Sequence, residues 1–324
     1  VQDKVHKMQD PKVVALIPAF NAGSFLKKSV ASLLDQVTDR PRIIVIDDAS
    51  SDNSLNDLLE WEAAGKIEIR RNQRNQGKAE SLNQAFAEFE ADFFIIQDAD
   101  DVAKPDRVTR QLAFMQADSA IGCSSSFVDY VNSAGDYVAA GKLDILDDAK
   151  QREYLAGDEP FGLYCPAVIL RAEVVKNPAL RFRGEFWPAD DIDLWNRIAE
   201  AGYKVRAQPE YLVGYRVHGK SVVTSGFAKT RMQYEWLRAC LRARRAKNPE
   251  PTRDEFLHNW NAVSWWKRAN RSRKFYAKGF YRAAGFAVAE KSYASALAKG
   301  LLAIVLQPTY AIRRALSQLQ NRLR

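Results

Sequence analysis

Phe93-Phe94-Ile95-Ile96-Gln97-Asp98-Ala99-Asp100-Asp101 decides how the rest of the chain is read. Four apolar residues in a row, with no polar alternation, describe a strand buried on both faces. The strand ends abruptly in an amide and three carboxylates. Upstream, Ile43-Ile44-Val45-Ile46 runs in the same way into Asp47-Asp48-Ala49-Ser50. Residues 13–17 form an earlier apolar run, and 67–69 a shorter one. Between these runs the apolar spacing turns helical. Residues 24–36 carry Phe25, Val30, Leu33 and Leu34 toward one side, and 55–61 and 79–89 read as further helices. Pro105 opens another, at a favoured first-turn position, that runs to about Gln116. Repeated strand–helix units give a mostly parallel sheet covered on both faces. Such sheets bind ligands beyond the carboxyl ends of their strands, where both acidic clusters fall.

Beyond Ala120 the alternation loosens. Strands are expected at 121–130, 167–170 and 211–217, and a helix at 194–201 that ends near Gly202. From about Thr230 strand signals vanish. Residues 232–245, 254–269, 275–289 and 292–306 read as helices, with Pro249, Pro251 and Pro308 between or after them. The expected fold class is α/β, with a Rossmann-like mixed sheet followed by an α-helical C-terminal region. The domain division is 1–227 and 228–324.

Charge follows the same division. The 324 residues hold 48 Lys and Arg against 40 Asp and Glu, a net of +8. Residues 228–324 alone carry 21 bases against five acids, a net of +16, which leaves −8 for the first 227. An acidic catalytic part that accommodates cations and a basic part that lies against something anionic are the natural expectation. Composition is ordinary for a globular protein: 47% hydrophobic and 27% charged exclude a collagen, a disordered chain and a disulfide scaffold. Cys123, Cys165 and Cys240 are too scattered for a disulfide framework or a zinc site, and suit a reducing compartment. The apolar stretch 300–306 is far short of the roughly 20 residues a spanning helix needs. The polar N-terminus reads as carrying no signal peptide, and the opening at Val1 suggests that a few residues precede it.

Asp98-x-Asp100 offers two hard oxygen donors one residue apart, a set that suits Mg²⁺ or Mn²⁺ bound to a diphosphate. Crowded carboxylates otherwise repel and raise one another's pKa. The plain counterpart is a solvated acidic turn before the helix at Pro105. A third cluster, Trp187-Pro188-Ala189-Asp190-Asp191-Ile192-Asp193-Leu194-Trp195, puts acids ahead of a helix. Helix capping accounts for at least one of them, and a general base for an incoming hydroxyl accounts for another.

Together these residues resemble the inverting family 2 glycosyltransferases of GT-A fold. Ile17-Pro18-Ala19-Phe20-Asn21 is similar to their opening motif. Asp47-Asp48-Ala49-Ser50-Ser51-Asp52 is similar to the second, with Ala49 where glycine is usual. Asn75-Gln76-Gly77-Lys78 with Asn83 and Ala85 resembles the third, and Asp98-Ala99-Asp100 is the DxD. Asp190-Asp191-Ile192-Asp193-Leu194-Trp195 resembles an ED-x-D-L-W motif with Asp for Glu, and Tyr215-Arg216-Val217-His218 with Ser221 resembles the closing motif. The resemblance covers roughly residues 12–225. It implies a nucleotide-sugar donor, most often a UDP-sugar, held by Pro18, Ala19, Phe20, Asp48, Lys78 and Asp98. It implies a metal, Mn²⁺ or Mg²⁺, on Asp100 and His218, and Asp191 as catalytic base. Trp187 and Asp190 would face a saccharide or lipid-linked acceptor.

Gly214-x-x-x-x-Gly219-Lys220-Ser221 also fits a P-loop, but a strand pattern runs through the supposed loop and β-branched Val222, Val223 and Thr224 open no helix. No dinucleotide-binding glycine motif follows any strand. In the basic tail, Ile312, Leu316, Leu319 and Leu323 draw an apolar stripe with Arg313, Arg314 and Arg322 off it. Trp236, Trp260, Trp265 and Trp266 add aromatics. An anionic membrane surface is the expected partner of 228–324, with packing on protein as the alternative. No nucleic acid is expected, since no recognition motif accompanies the charge; oligomerisation is left open. The expected place is the cytoplasm, peripheral to the membrane. A non-catalytic nucleotide- or glycan-binding module and a nucleotidyltransferase are the competing readings.

Overall fold

The computed structural model describes residues 11–217, 227–311 and 313–314. Each apolar run of the first hundred residues becomes a strand: β1 (Val13–Ala19), β2 (Arg42–Asp47), β3 (Glu68–Arg71) and β4 (Phe93–Ile96). Helices α1 (Phe25–Leu34), α2 (Leu59–Ala63) and α3 (Lys78–Glu88) connect them. The chain continues through β5 (Val102–Ala103), α4 (Arg107–Ala117), β6 (Ile121–Val131), β7 (Tyr137–Gly141), α5 (Asp148–Ala156), β8 (Val168–Arg171), α6 (Ala172–Lys176), α7 (Asp190–Glu200) and β9 (Lys204–Arg216). Four helices close it: α8 (Phe227–Arg245), α9 (Arg253–Asn261), α10 (Trp265–Ala289) and α11 (Tyr293–Leu306).

The strands form one mixed sheet in the order β3-β2-β1-β4-β8-β6-β9-β5, with β7 on β6. β3, β2, β1 and β4 are parallel, while β8 is antiparallel to both β4 and β6. The chain steps from β1 outward to β2 and β3, then returns to pair β4 with the other side of β1. A crevice opens at such a reversal, beyond the carboxyl ends of β1 and β4. Ala19, Asp47 and Ile96 end their strands there.

Alternating side chains feed two cores. Val14, Leu16, Ile44, Ile46, Phe94 and Ile96 pack with Leu82 and Phe86 of α3 and Trp195 of α7. Ala15, Ile17, Ile43, Val45 and Ile95 pack with Leu26 and Leu33 of α1 and Leu112 of α4. A large apolar side chain buried in this way contributes roughly 1.5–3 kcal/mol, enough to fix the strand register and hence the rim.

Several boundaries differ from expectation. α7 begins at Asp190, four residues before the expected start, because its acids occupy the first turn, where the helix dipole favours them. The expected helix 254–269 is broken. A capping box of Thr252 and Glu255 starts α9, which ends at Asn261; Ser264 stands at the N-cap of α10, which then runs through the expected start at 275 without a breaker. β7, α5 and α6 are not legible as elements in the sequence. β9 extends through Gly214 and Arg216, so the front of the P-loop pattern is strand. The rest of that pattern, and most of the terminal stripe, lies outside the described residues.

α8 is bound tightly to α7 and the segment before it. Trp236 stacks on Phe186 with ring centroids 4.3 Å apart, and Arg244 pairs with Glu200 and Glu250. α10 and α11 pack on each other with small residues inside: Ala277, Ala287, Ala296 and Ala303 are buried. Their large apolar residues stay exposed, among them Trp265, Trp266, Leu297, Leu301 and Val305. Among the described residues no helix is long and apolar enough to cross a membrane.

Candidate active site

The loops after β1 and β2 are tied to each other. The Asn21 side-chain carbonyl accepts from the backbone N–H groups of Ser51 (2.8 Å) and Asp52 (3.2 Å), and Asp52 accepts from the N–H of Gly23 (2.9 Å). Pro18 and buried Ala19 end β1, and Phe20 projects from it, 51% exposed. Ala49 holds φ at 61°, the left-handed region that its glycine counterpart would occupy at no steric cost. Buried Asp48 accepts from the N–H of Gln76 (3.0 Å) and Gly77 (2.8 Å) and from Asn72 Nδ2 (2.8 Å). Its carboxylate therefore shapes the loop that launches α3, and Gly77, at φ 89°, supplies the turn.

Lys78 opens α3 and forms an ion pair with Asp98. Burial works against its charge, but Asp98 first, with Asp191 as a lesser contributor, holds the ammonium well above its ordinary value. Asn83, one and a half turns on, exchanges two hydrogen bonds with the backbone of Phe182 (2.8 and 3.0 Å). α3 thereby fixes the segment that leads into the third acidic cluster.

Beyond β4, carboxylate oxygens of Asp98, Asp100 and Asp101 lie within 4.8 Å of one another. Asp101 was not singled out in the sequence. Its Oδ1 accepts from the N–H of Arg216 (2.6 Å), while its buried Oδ2 has no hydrogen-bond partner among the described residues. Burial, then the charges of Asp100 and Asp98, push its carboxyl well above the usual range. Three hard oxygen donors, one of them orphaned and buried, fit a Mg²⁺ or Mn²⁺ ion. His218, the other expected ligand, lies outside the described residues.

Two arginines hold this acidic loop. Arg216 Nε donates to the Asp100 carbonyl (2.9 Å), and its Nη1 to the carbonyls of Asn132 and Ser133 (2.9 Å each). Fully buried Arg107 donates to Gln97 Oε1 (3.0 Å), the Ile96 carbonyl (3.0 Å) and Gln111 (2.9 Å), all neutral acceptors. Burial lowers it to about 9, against the pull of Asp101 and Asp98, so at neutral pH it remains a cation close to the cluster. Arg107 gave no signal beyond its place in an amphipathic helix. Arg216 was legible only through its motif.

The third cluster divides by role. Asp193, fully buried, pairs with Arg183 (2.6 Å) and Arg197 (2.8 Å) and stays below the usual carboxylate range despite its burial. Asp190 is buried and raised by that burial. Asp191 is half-buried. Burial first, then the charge of Asp190, pushes it up to about 7, opposed by Lys78 and by the Ile192 N–H (2.7 Å). Asp98 also acts on it, so the second and third clusters share one field. Trp187 is 41% exposed, and its carbonyl accepts from Gln233 of α8 (3.2 Å).

The mixed sheet, parallel in its first half and carrying an acid cluster beyond β4, is of the GT-A type. Residues 14–175 match the family model "Glycosyl transferase family 2", and the chain belongs to that family. An uncharacterized glycosyltransferase of Haemophilus influenzae is 29% identical over 216 residues, 64% of this chain and 66% of the relative. A UDP-Glc:alpha-D-GlcNAc-diphosphoundecaprenol beta-1,3-glucosyltransferase of Escherichia coli is 26% identical over 66% of this chain and 81% of its own. Among solved structures, S. aureus TarS 1-349 in complex with UDP shares the fold, with a TM-score of 0.56, 14% identity and coverage of 92% and 91%. So does a mannosyltransferase from Pyrobaculum calidifontis in complex with GDP-Man and Mn²⁺, with a TM-score of 0.56, 16% identity and coverage of 98% and 82%. The protein is a glycosyltransferase.

Proposed function

We propose that this enzyme transfers a sugar, with inversion, from a UDP-sugar to a hydroxyl of a saccharide or lipid-linked acceptor, and that it depends on Mn²⁺ or Mg²⁺. The observation that carries it is the Asp98–Asp100–Asp101 cluster with Asp191 in its field. Asp98, Asp100 and Asp101 are the residues that would hold the ion, with His218 as a further ligand. A divalent ion bound there supplies positive charge against the diphosphate leaving group. Pro18, Ala19 and Phe20 line the nucleotide side. Asp48 acts there through the loop it organises, and Lys78 offsets charge next to Asp98. Trp187 and Asp190 face the acceptor.

Asp191 takes the proton of the acceptor hydroxyl onto a carboxylate oxygen. The oxygen so freed forms its bond to the anomeric carbon, and the bond from that carbon to the phosphate oxygen breaks, releasing nucleoside diphosphate. A carboxylate near 7 is a competent base at neutral pH, because it is both partly ionised and basic enough to accept a proton. UDP in TarS and the lipid-diphosphate acceptor in the name of the E. coli relative support the choice of donor and acceptor. The described helices α8 to α11 form the basic part of the chain. The outward Trp265, Trp266 and Val305, among lysines and arginines, suit a peripheral place on an anionic, cytoplasmic membrane face.

The test is release of nucleoside diphosphate from UDP-sugars with Mn²⁺ and an acceptor. Asp191→Asn is expected to cut transfer by about 10²–10⁴-fold while UDP affinity stays unchanged. Because the base works only when ionised, wild-type kcat/KM is expected to rise with pH through about 7. Pyrophosphate release would instead identify a nucleotidyltransferase, and no turnover with intact UDP binding a non-catalytic module.

A further inference from the structure

A large concavity lies not over the acid cluster but on the far side of Tyr215 and Arg216. A cleft of about 2610 Å³ separates the β6–β7–β9 edge and α8 from the α10–α11 hairpin. Drug-sized pockets span roughly 300–1,000 Å³, so this one suits a much longer occupant. Its helical wall is apolar: Tyr293, Leu297, Leu301 and Ile304 of α11, at spacings of four, four and three, all line it and are all exposed. Water-exposed side chains of this size, in one stripe, mark a surface built to be covered. Small residues fill the α10–α11 contact instead, so the hairpin keeps its large apolar groups for the cleft and the outer face.

The same cleft carries cations. Arg231 and Arg238 of α8 are paired with Glu235 and Glu159. Lys278 and Arg282, one turn apart on α10, also line it, and among the described residues no carboxylate pairs with either. Lys278 also lies over the Tyr310 ring, 5.8 Å from its centroid. Two cations a helical turn apart, without carboxylate partners among the described residues, suit the oxygens of a phosphate or diphosphate. The sheet side ends in Tyr130, Tyr164 and Tyr215, whose rings pack edge to face or tilted with centroids 5.5–6.1 Å apart. Tyr215 precedes Arg216, which holds Asp100 and Asp101, and the charges of Asp101 and Asp98 act on its hydroxyl. Tyr215 therefore sets this wall of the cleft next to the residue that holds the acid loop.

We propose that this cleft seats a lipid-phosphate acceptor, its hydrocarbon chain along Tyr293, Leu297, Leu301 and Ile304, its phosphate at Lys278 and Arg282, and its sugar end toward Asp98–Asp101. This rests on the glycosyl-transfer reading above and commits it to an acceptor that is both long-chained and anionic. A concave wall rather than a flat one favours a single lipid over a bilayer surface.

Binding of farnesyl diphosphate to the full chain in EDTA, followed by calorimetry, tests it, since without divalent ion the acid cluster repels the probe. Farnesol and inorganic diphosphate are the controls. Farnesyl diphosphate is expected to bind at least ten-fold more tightly than either control. Lys278→Glu with Arg282→Glu, or Leu297→Asp with Leu301→Asp, all exposed positions, is expected to weaken it by ten-fold or more. Mn²⁺-dependent UDP binding is expected to stay within two-fold in both. Equal binding of inorganic diphosphate, or indifference to both double variants, overturns the proposal. So does loss of sedimentation with phosphatidylglycerol vesicles in variants that still bind farnesyl diphosphate normally. If UDP binds with Mn²⁺ while farnesyl diphosphate fails, the cleft proposal falls and the glycosyl-transfer reading stands. Failure of both removes that reading as well.

Discussion

Ala49 holds the loop after β2 in a left-handed backbone angle. At φ 61° it occupies a region that costs an L-residue roughly 1–2 kcal/mol relative to helix or strand. Glycine removes that cost and adds about 0.5–1 kcal/mol of unfolded-state entropy. Ala49→Gly is therefore expected to leave stability unchanged or to raise it by up to about 1.5 kcal/mol, in urea unfolding. A clear destabilisation would mean that the Ala49 methyl, rather than the angle, is what the site uses. The departure from the family's glycine was visible in the sequence, but its angle was not. Asp98 and Asp100 were legible because they stand one residue apart in the chain at the end of an obvious strand. The burial of Asp101 was not, because Arg216, 115 residues away, supplies the N–H that pins it. Asp193 reads like its neighbours until Arg183 and Arg197 close on it.

Among the elements, β9 matters most for the site. It pairs with β6 along most of its length and delivers Arg216 to the loop after β4. Arg216→Lys keeps one charge but loses the fork that reaches three carbonyls at once. Groups that orient metal ligands typically change affinity by 10–100-fold. Mn²⁺ affinity, read by electron paramagnetic resonance, is expected to fall by about that factor, with thermal unfolding shifted far less. An unchanged affinity would place Arg216 in the fold alone. The parallel strands were legible because both faces are buried and their apolar runs are unbroken. β7 was not, because it lies mostly exposed at the sheet's side with a mixed pattern. The helix expected at 254–269 failed because capping residues, not apolar spacing, decide where α9 stops and α10 starts.

For the whole molecule, the split between a net −8 part and a net +16 part becomes spatial: acids collect at the carboxyl rim of the sheet, and cations line α8 and α10. The sign of each part was plain from composition. The cleft in front of the α10–α11 hairpin was not, since it depends on how α8, bolted to α7 through Trp236 and Arg244, aims that hairpin. Family membership rests on residues 14–175, which contain the acid cluster and part of the cleft's sheet wall but not Asp191, Arg216 or the helices α8, α10 and α11.

At the centre stands the idea that the acid rim grips a divalent ion and, through it, a sugar donor's phosphates. Calorimetric titration of UDP into the intact protein, with Mn²⁺ and with EDTA, measures that directly. UDP is expected to bind at least ten-fold more tightly with Mn²⁺ in the wild type, and Asp100→Asn is expected to erase the gain. UDP affinity indifferent to Mn²⁺, or an undiminished gain in Asp100→Asn, would contradict it.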